Sequence, residues 1–440
     1  MRRLALLFAG CVLAAGCGAQ HARAPQIIAL DVYNVDGAAG FEGTALVKLR
    51  PTTLRPYGHR LRLGDATTGG VFSPDRKTLA LGAYNDGNVL VVDPDRLSLV
   101  KKVHVVKGRD EADVEVDVLG WPRRNLLVAE TIYDGAWWAQ HPAQLVFVDP
   151  ERHKVVRRVP LGGSDWGAVT LRNGAIAVLR LAATNGGSPG GTPTVVIVGP
   201  DGRVGKAVLR RLRLVGPDSV RVDDETYPAE REPGVATDGR RVFVVTADRP
   251  VVEIDPSPLS IRYHAVRLRD THLPAPPPMT PGSGGVHYRL SRSATWLGHG
   301  LLAVSGLDEL PGHVPGFGTG HSEVSTPVQI VEARTWRVVH TIRATGCEPA
   351  RKLILCAGDV AAGRKGEAQT RLVAYDRRWR IRYRHGPRSL YWQLVGGRLL
   401  ATEDYGQGRT FELARNTGRP LHRAYPPRYA NGFLVWNPPD

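Results

Sequence analysis

From residue 27 onward the chain is a succession of short apolar runs, each ended by a polar or glycine-rich turn. Residues 71–82 read as a strand, a turn and a second strand. Residues 89–94 read as a third strand ending in a turn, and 99–105 as a fourth. One four-stranded antiparallel sheet in about 45 residues is the size of one β-propeller blade. The apolar runs are nearly continuous rather than alternating, which predicts sheets covered on both faces, as in blades stacked around an axis.

The unit recurs, most clearly in its second and third strands: 126–129 with 145–150, 176–179 with 195–200, and 242–245 with 251–256. Residues 301–304 with 328–331, 353–356 with 372–376, and 399–402 with 410–413 continue the series. With the first unit these make seven complete copies. The two ends supply the parts of an eighth. Residues 432–438 resemble a first strand and its turn, while 27–35, 44–50 and 60–63 read as second, third and fourth strands. Pairing them closes the ring and removes open sheet edges. The expected architecture is therefore all-β, a single eight-bladed propeller over residues 27–440. Seven blades is the alternative, with residues 27–35 as an extended tether.

The phrase Phe72-Ser73-Pro74-Asp75 and the recurring apolar run followed by Asp-Pro resemble the YVTN-type and quinoprotein-like repeats of bacterial extracytoplasmic propellers. The resemblance implies the blade architecture and carries no ligand with it.

The N-terminus changes the picture by fixing a compartment. Arg2 and Arg3 precede an apolar run over residues 4–13, the length of a secretory signal and short of the roughly 20 residues that span a bilayer. It ends at Ala14-Ala15-Gly16-Cys17, which resembles the lipobox of bacterial lipoproteins. That resemblance implies a signal peptide over 1–16, lipidation of Cys17 and a lipidated tether over 17–26; an ordinary cleaved signal is the alternative. The expected location is extracytoplasmic, lipid-anchored to a bacterial membrane. In such a compartment the two remaining cysteines, Cys347 and Cys356, are expected to form a disulfide across the turn Glu348-Pro349-Ala350-Arg351.

Composition adds less. The 50 glycines and 33 prolines suit tight turns between short strands. The formal charge of +16 falls by two once Arg2 and Arg3 leave with the signal. The compartment argues against nucleic acid and for anionic headgroups or cell-wall polymer as partners of a basic surface.

Strand order sorts the loops by face. Links between blades and between second and third strands emerge on one face, the top; the other turns emerge at the bottom. The long segments 132–143, 182–194, 210–233, 269–292, 306–327 and 357–369 all fall on the top, so binding to an envelope protein or a small ligand is expected there. Candidate contacts are the cluster Tyr133, Trp137, Trp138 and His141 beside Asp134, the strand-end pair Asp165 and Trp166, and the histidines His313 and His321. His272, His287, Asp308, Glu309 and Glu323 lie in the same two insertions as these histidines, without the compact spacing of a zinc site, so no metal is assigned. The bottom turns carry the cation pairs Arg76-Lys77, Arg123-Arg124, Arg240-Arg241, Arg351-Lys352 and Arg377-Arg378.

Two function classes remain. A non-enzymatic binding or scaffold module fits the top-face insertions and the anchor, and is similar in plan to the barrel-assembly propeller lipoprotein of outer membranes. An extracytoplasmic enzyme of the lyase or oxidoreductase type is the alternative. Quinoprotein dehydrogenases show a vicinal cysteine pair and a Gly-Lys-x-x-Trp blade ending. Here Thr417-Gly418-Arg419-Pro420-Leu421 is the nearest match and lacks the tryptophan. No catalytic residue and no cofactor is assigned.

Overall fold

The computed structural model describes residues 25–34, 42–65, 70–83, 87–106, 114–133, 143–161, 164–183, 189–212, 214–222, 225–268, 288–314, 318–362, 368–385, 390–395, 397–403, 410–424 and 430–436. Among the described residues every regular element is a strand, and no helix is long and apolar enough to cross a membrane.

The strands form eight sheets, each containing a four-stranded antiparallel blade. Blade 1 joins Gln26–Asn34, Glu42–Leu49 and Pro56–Asp65 to the C-terminal strand Ala430–Trp436, which pairs antiparallel with Gln26–Asn34. Blades 2 to 8 are continuous in sequence, over 70–104, 114–160, 164–208, 234–264, 289–342, 344–385 and 390–424. The ring thus has eight blades, and residues 26–34 are a ladder strand rather than a tether. One strand from one end of the chain completes three from the other, so neither is left as an open edge.

The closing blade is clasped on both sides. The Trp436 side chain is 1% exposed and its indole N–H donates to the Arg76 carbonyl of blade 2 at 2.6 Å. Lys48 donates to the Asp95 carbonyl at 2.6 Å, and Arg398 of blade 8 donates to the carbonyl of Pro51.

Burial follows the radius. In blade 2 the second strand, Leu79–Gly82, is buried throughout, and the third, Asn88–Asp93, except at its ends. The fourth, Ser98–His104, is mostly exposed. First strands of successive blades touch one another around the axis. Contact between blades is close enough to specify glycine: a Cβ on Gly82 would lie 1.5 Å from the Val116 carbonyl oxygen of blade 3. Apolar clusters such as that of Leu126, Leu145, Phe147, Ile176 and Val198 fill the seams between blades, which is why the apolar runs do not alternate.

Four segments differ from the expected long loops: 182–194 and 357–369 in part continue the ladders of blades 4 and 7, and two others depart further. Residues 210–233 contain a hairpin, Val215–Val222 with Glu225–Glu232, whose second strand pairs in parallel with Arg289–Gly298 of blade 6 through Glu230, Arg231 and Glu232. Residues 306–327 continue the ladder of blade 6, with Leu301–Val314 opposite Gly318–Glu332. The physical reason is the same in both: an insertion satisfies its backbone N–H and C=O groups most completely by extending a ladder already present. The disulfide is formed between Cys347 and Cys356, which face each other in register, 4.1 Å apart at Cα. The turn between them is Arg351–Lys352, since Glu348 to Ala350 stay in the strand.

Candidate functional site

The inserted hairpin extends blade 6 beyond its first strand, toward the axis and at the top, where that strand begins. Charged side chains weld it in place. Glu232 accepts from the Ser291 hydroxyl and lies 3.1 Å from the Arg289 guanidinium, which also reaches Glu309 at 3.5 Å. Arg292 and Asp308 form a buried ion pair, and Arg292 Nη1 also donates to the Ser291 carbonyl at 2.7 Å. Arg231, 1% exposed, lies 3.8 Å from Asp248. Each cation here has a carboxylate partner, which is the condition for keeping ions out of water.

Beside this weld is a cavity of about 310 Å³ lined by Ser291, Arg292, Ser293, Ser305, Ser325 and Thr345, with Gly306 and Leu307. The Ser293 and Ser305 hydroxyls bond each other at 2.7 Å, and neither pairs with a base among the described residues. Hydroxyls arranged in this way offer hydrogen bonds to a polar ligand; an activated nucleophile needs a general base within reach. A Cβ on Gly306 would lie 2.3 Å from the Ser291 carbonyl oxygen, so glycine there keeps the second strand tight against the first.

The residues singled out from the sequence are distributed unevenly. Tyr133 ends the strand Leu126–Tyr133, and Trp137, Trp138, His141 and Asp134 lie outside the described residues. Asp165 and Trp166 sit in Ser164–Thr170, the first strand of blade 4, where the ladder shifts register between Asp165 and Gly167. His313 pairs with Thr319 and His321 with Pro311, so both occupy the tip of the blade 6 hairpin, two ladder positions apart. His272 and His287 lie outside the described residues. Asp308 and Glu309, grouped with these histidines in the sequence, are instead engaged by Arg292 and Arg289. Among the described residues no group of three His, Cys, Asp or Glu could hold a metal ion.

Sequence reasoning passed over Arg231, Glu232, Arg289 and Arg292. The available signal was the triplet Glu230-Arg231-Glu232 just before blade 5 and the spacing of Arg289 and Arg292 in the run Arg289-Leu290-Ser291-Arg292.

On the bottom face the cation pairs fall in turns as expected, but their surroundings differ by sector. Arg124 lies 3.3 Å from Glu151 and 3.6 Å from Asp75. Arg241 is drawn inward by Asp238 at 2.7 Å and by Glu253 at 2.9 Å. Burial of Asp238 opposes its charge, but backbone N–H groups of Arg241 and Arg240 and the Arg241 guanidinium prevail and hold its carboxyl below the usual aspartate range. In blade 7 the balance reverses. Asp376 caps its turn by accepting from the backbone N–H groups of Arg378 and Arg380, while Arg377, Arg378, Arg380 and Arg382 crowd the same turn.

No family model matches this chain, and no curated protein does. Among solved structures, the dihydro-heme d1 dehydrogenase NirN, in complex with DHE, superposes over 93% of this chain and 74% of its own at 11% identity, with a TM-score of 0.55. The likeness is one of fold. Apo AztD from Citrobacter koseri superposes over 93% of this chain and 97% of its own at 9% identity, with a TM-score of 0.52. Identities this low show a shared propeller and leave the chemistry of each member to its own residues.

Proposed function

We propose that the protein is an extracytoplasmic binding or scaffold module, held to a bacterial membrane through lipidated Cys17, that presents its top face to an envelope protein or small ligand. The observation that carries this reading is the crown on blade 6. The inserted hairpin and the extended strands Leu301–Val314 and Gly318–Glu332 both build the top face outward on continuous ladders. Rigid, ladder-supported projections suit recognition, because their backbone is ordered before a partner arrives. Tyr133, Trp137, Trp138, His141, Asp165 and Trp166 are further candidate contacts on that face. The cell-envelope location rests on the signal-like N-terminus and the Ala-Ala-Gly-Cys sequence.

The test is a pull-down from detergent-solubilised envelope with three forms of the protein. One is wild type, one carries Trp137→Ala and Trp138→Ala, and one has residues 309–323 replaced by Asn-Gly. A partner retained by wild type and lost from the trimmed form supports the crown as the binding element. Equal recovery from all three forms would sink it. Cys17→Ala should release the protein from the membrane fraction; unchanged membrane association would refute the anchor.

An extracytoplasmic enzyme is the second reading. The propeller fold is compatible with it, since NirN, named as a dehydrogenase, shares that fold. Turnover of a small substrate that survives trimming of the crown would select it.

A further inference from the structure

The bottom face holds a second cavity, of about 600 Å³, at the seam between blades 7 and 8. Three turns form it: Arg351–Lys352 of blade 7, Gly397–Arg398 of blade 8, and the turn after Thr410–Leu413 that carries Arg415 and Asn416. Its floor is apolar, supplied by Leu353, Leu399, Leu413 and Leu421, the last 52% exposed.

The charges around it do not cancel. The carboxylate lining the cavity, Glu412, is taken by Arg398, whose Nε donates to it at 3.0 Å and whose Nη2 forms a second, shorter contact. Arg351 and Lys352 are exposed at the rim and form no ion pair among the described residues. Arg415 reaches in from the opposite turn. Its Nη1 is buried and has no hydrogen-bond partner among the described residues.

A second orphan donor lies alongside. The Tyr383 hydroxyl, on the outer strand of blade 7, is buried without a partner, and the Arg415 guanidinium acts on it electrostatically. The Tyr383 ring packs on the same blade 8 turn, since a Cβ on Gly418 would lie 2.5 Å from it. Burial pushes the phenol up to about 12, more than the nearby guanidinium pulls it down, so it stays a neutral donor. With Glu412 taken, Arg351, Lys352 and Arg415 line the cavity as uncompensated cations, and an anion is the ligand that fits them.

We propose that this cavity binds a phosphate-headed amphiphile, its phosphoryl oxygens held among the Arg415, Arg351 and Lys352 side chains that line it, and its apolar body resting on Leu353, Leu399 and Leu421. A phosphate rather than a carboxylate is favoured because the uncompensated cations outnumber the charge of one carboxylate. The same chemistry is offered by a soluble phosphate ester and by a phospholipid headgroup.

Calorimetric titration of the full chain with phenyl phosphate, inorganic phosphate and benzoate tests the ligand class. Phenyl phosphate should bind more tightly than either of the others. Arg415→Leu should weaken it by about 100-fold and Lys352→Ala by about tenfold, the range for contacts to a charged group. Flotation with phosphatidylcholine vesicles, with and without phosphatidic acid, separates the sources. Binding that needs phosphatidic acid and Arg415 assigns the site to a headgroup. Binding of phenyl phosphate without Arg415-dependent flotation assigns it to a soluble ester. Failure of wild type to bind phenyl phosphate, or equal binding by Arg415→Leu with its folding intact, overturns the proposal.

Discussion

The seam between blades 5 and 6 and the seam between blades 7 and 8 use the same residue types to opposite ends. In the first, Glu253 is 4% exposed and its carboxylate meets three partners: Arg241 at 2.9 Å, His264 at 2.8 Å and Arg262 at 3.5 Å. His264 in turn stacks on Trp336 of blade 6 at 3.9 Å, and Phe243 stacks on Trp296 at 5.2 Å. The groups around Glu253 are satisfied by one another, and the aromatic rings close the seam. In the second, the half-buried Arg415 and Tyr383 each keep a buried donor, Nη1 and the hydroxyl, without a partner among the described residues, and the seam opens into a cavity. A satisfied network holds blades together; an unsatisfied one beside open volume costs stability and is the mark of a site.

Four changes would break or sharpen that contrast. The largest effect is expected from Glu253→Ala, which takes the carboxylate from His264 and Arg262 at once and leaves Arg241 with Asp238 alone. It should lower unfolding free energy by about 3–5 kcal/mol in urea titrations, as removal of one partner from a buried pair does. A loss below about 1 kcal/mol, the value of a surface pair, would mean that the aromatic stack alone holds this seam.

Next is Cys347→Ser with Cys356→Ser. The bond staples the hairpin whose turn supplies Arg351 and Lys352 to the cavity. Its loss should cost about 2–3 kcal/mol by chain entropy. It should also weaken anion binding; unchanged binding would show that the turn is positioned without the staple.

Acid sharpens the comparison further. The Asp238 carboxyl is held below its ordinary value in the folded state, so its contribution is complete above that value and is lost as pH falls toward the folded one. Asp238→Asn should cost about 1 kcal/mol at neutral pH and flatten the stability profile below pH ~4. Stability curves of equal slope in the two proteins would refute this.

The smallest effects belong to the other seam. Tyr383→Phe removes a donor that nothing accepts from, and should change neutral-pH stability by less than about 0.5 kcal/mol, with a gain more consistent than a loss. At high pH the sign is definite. The raised phenol favours the folded state's neutral form, so wild type loses stability as pH climbs from about 10 toward 12, and the Phe variant should not lose that part. A destabilisation of Tyr383→Phe above about 1 kcal/mol would show a hydrogen bond at that hydroxyl and dissolve the contrast between the seams.

Much of the fold was legible in the residues themselves. The runs at 79–82 and 89–94 coincide with the buried second and third strands of blade 2, because a strand buried on both faces must be apolar at every position. The closing blade could be read from the leftover strands at the two ends, since each blade needs four and an open edge is costly. The top-face placement of the long segments followed from strand order. Their internal structure did not follow: residues 215–232 look like a loop because their ladder partner, the strand Arg289–Gly298, is remote in sequence.

What the sequence by itself determined is therefore the period and the face on which each turn emerges, which depend on local alternation of strand and turn; the pairing of residues 26–34 with 430–436 decided eight blades over seven. Only the tertiary structure decided which charges meet. Asp308 stands in the sequence among unassigned histidines and acids until Arg292 is found against it across a ladder, and nothing in the sequence marks Arg415, whose buried Nη1 is seen only in the folded chain. Apolar burial is non-directional and leaves its mark in composition and period. Polar partnership depends on distance and angle within a few tenths of an ångström. In a propeller those are set by how separate blades stack around the axis.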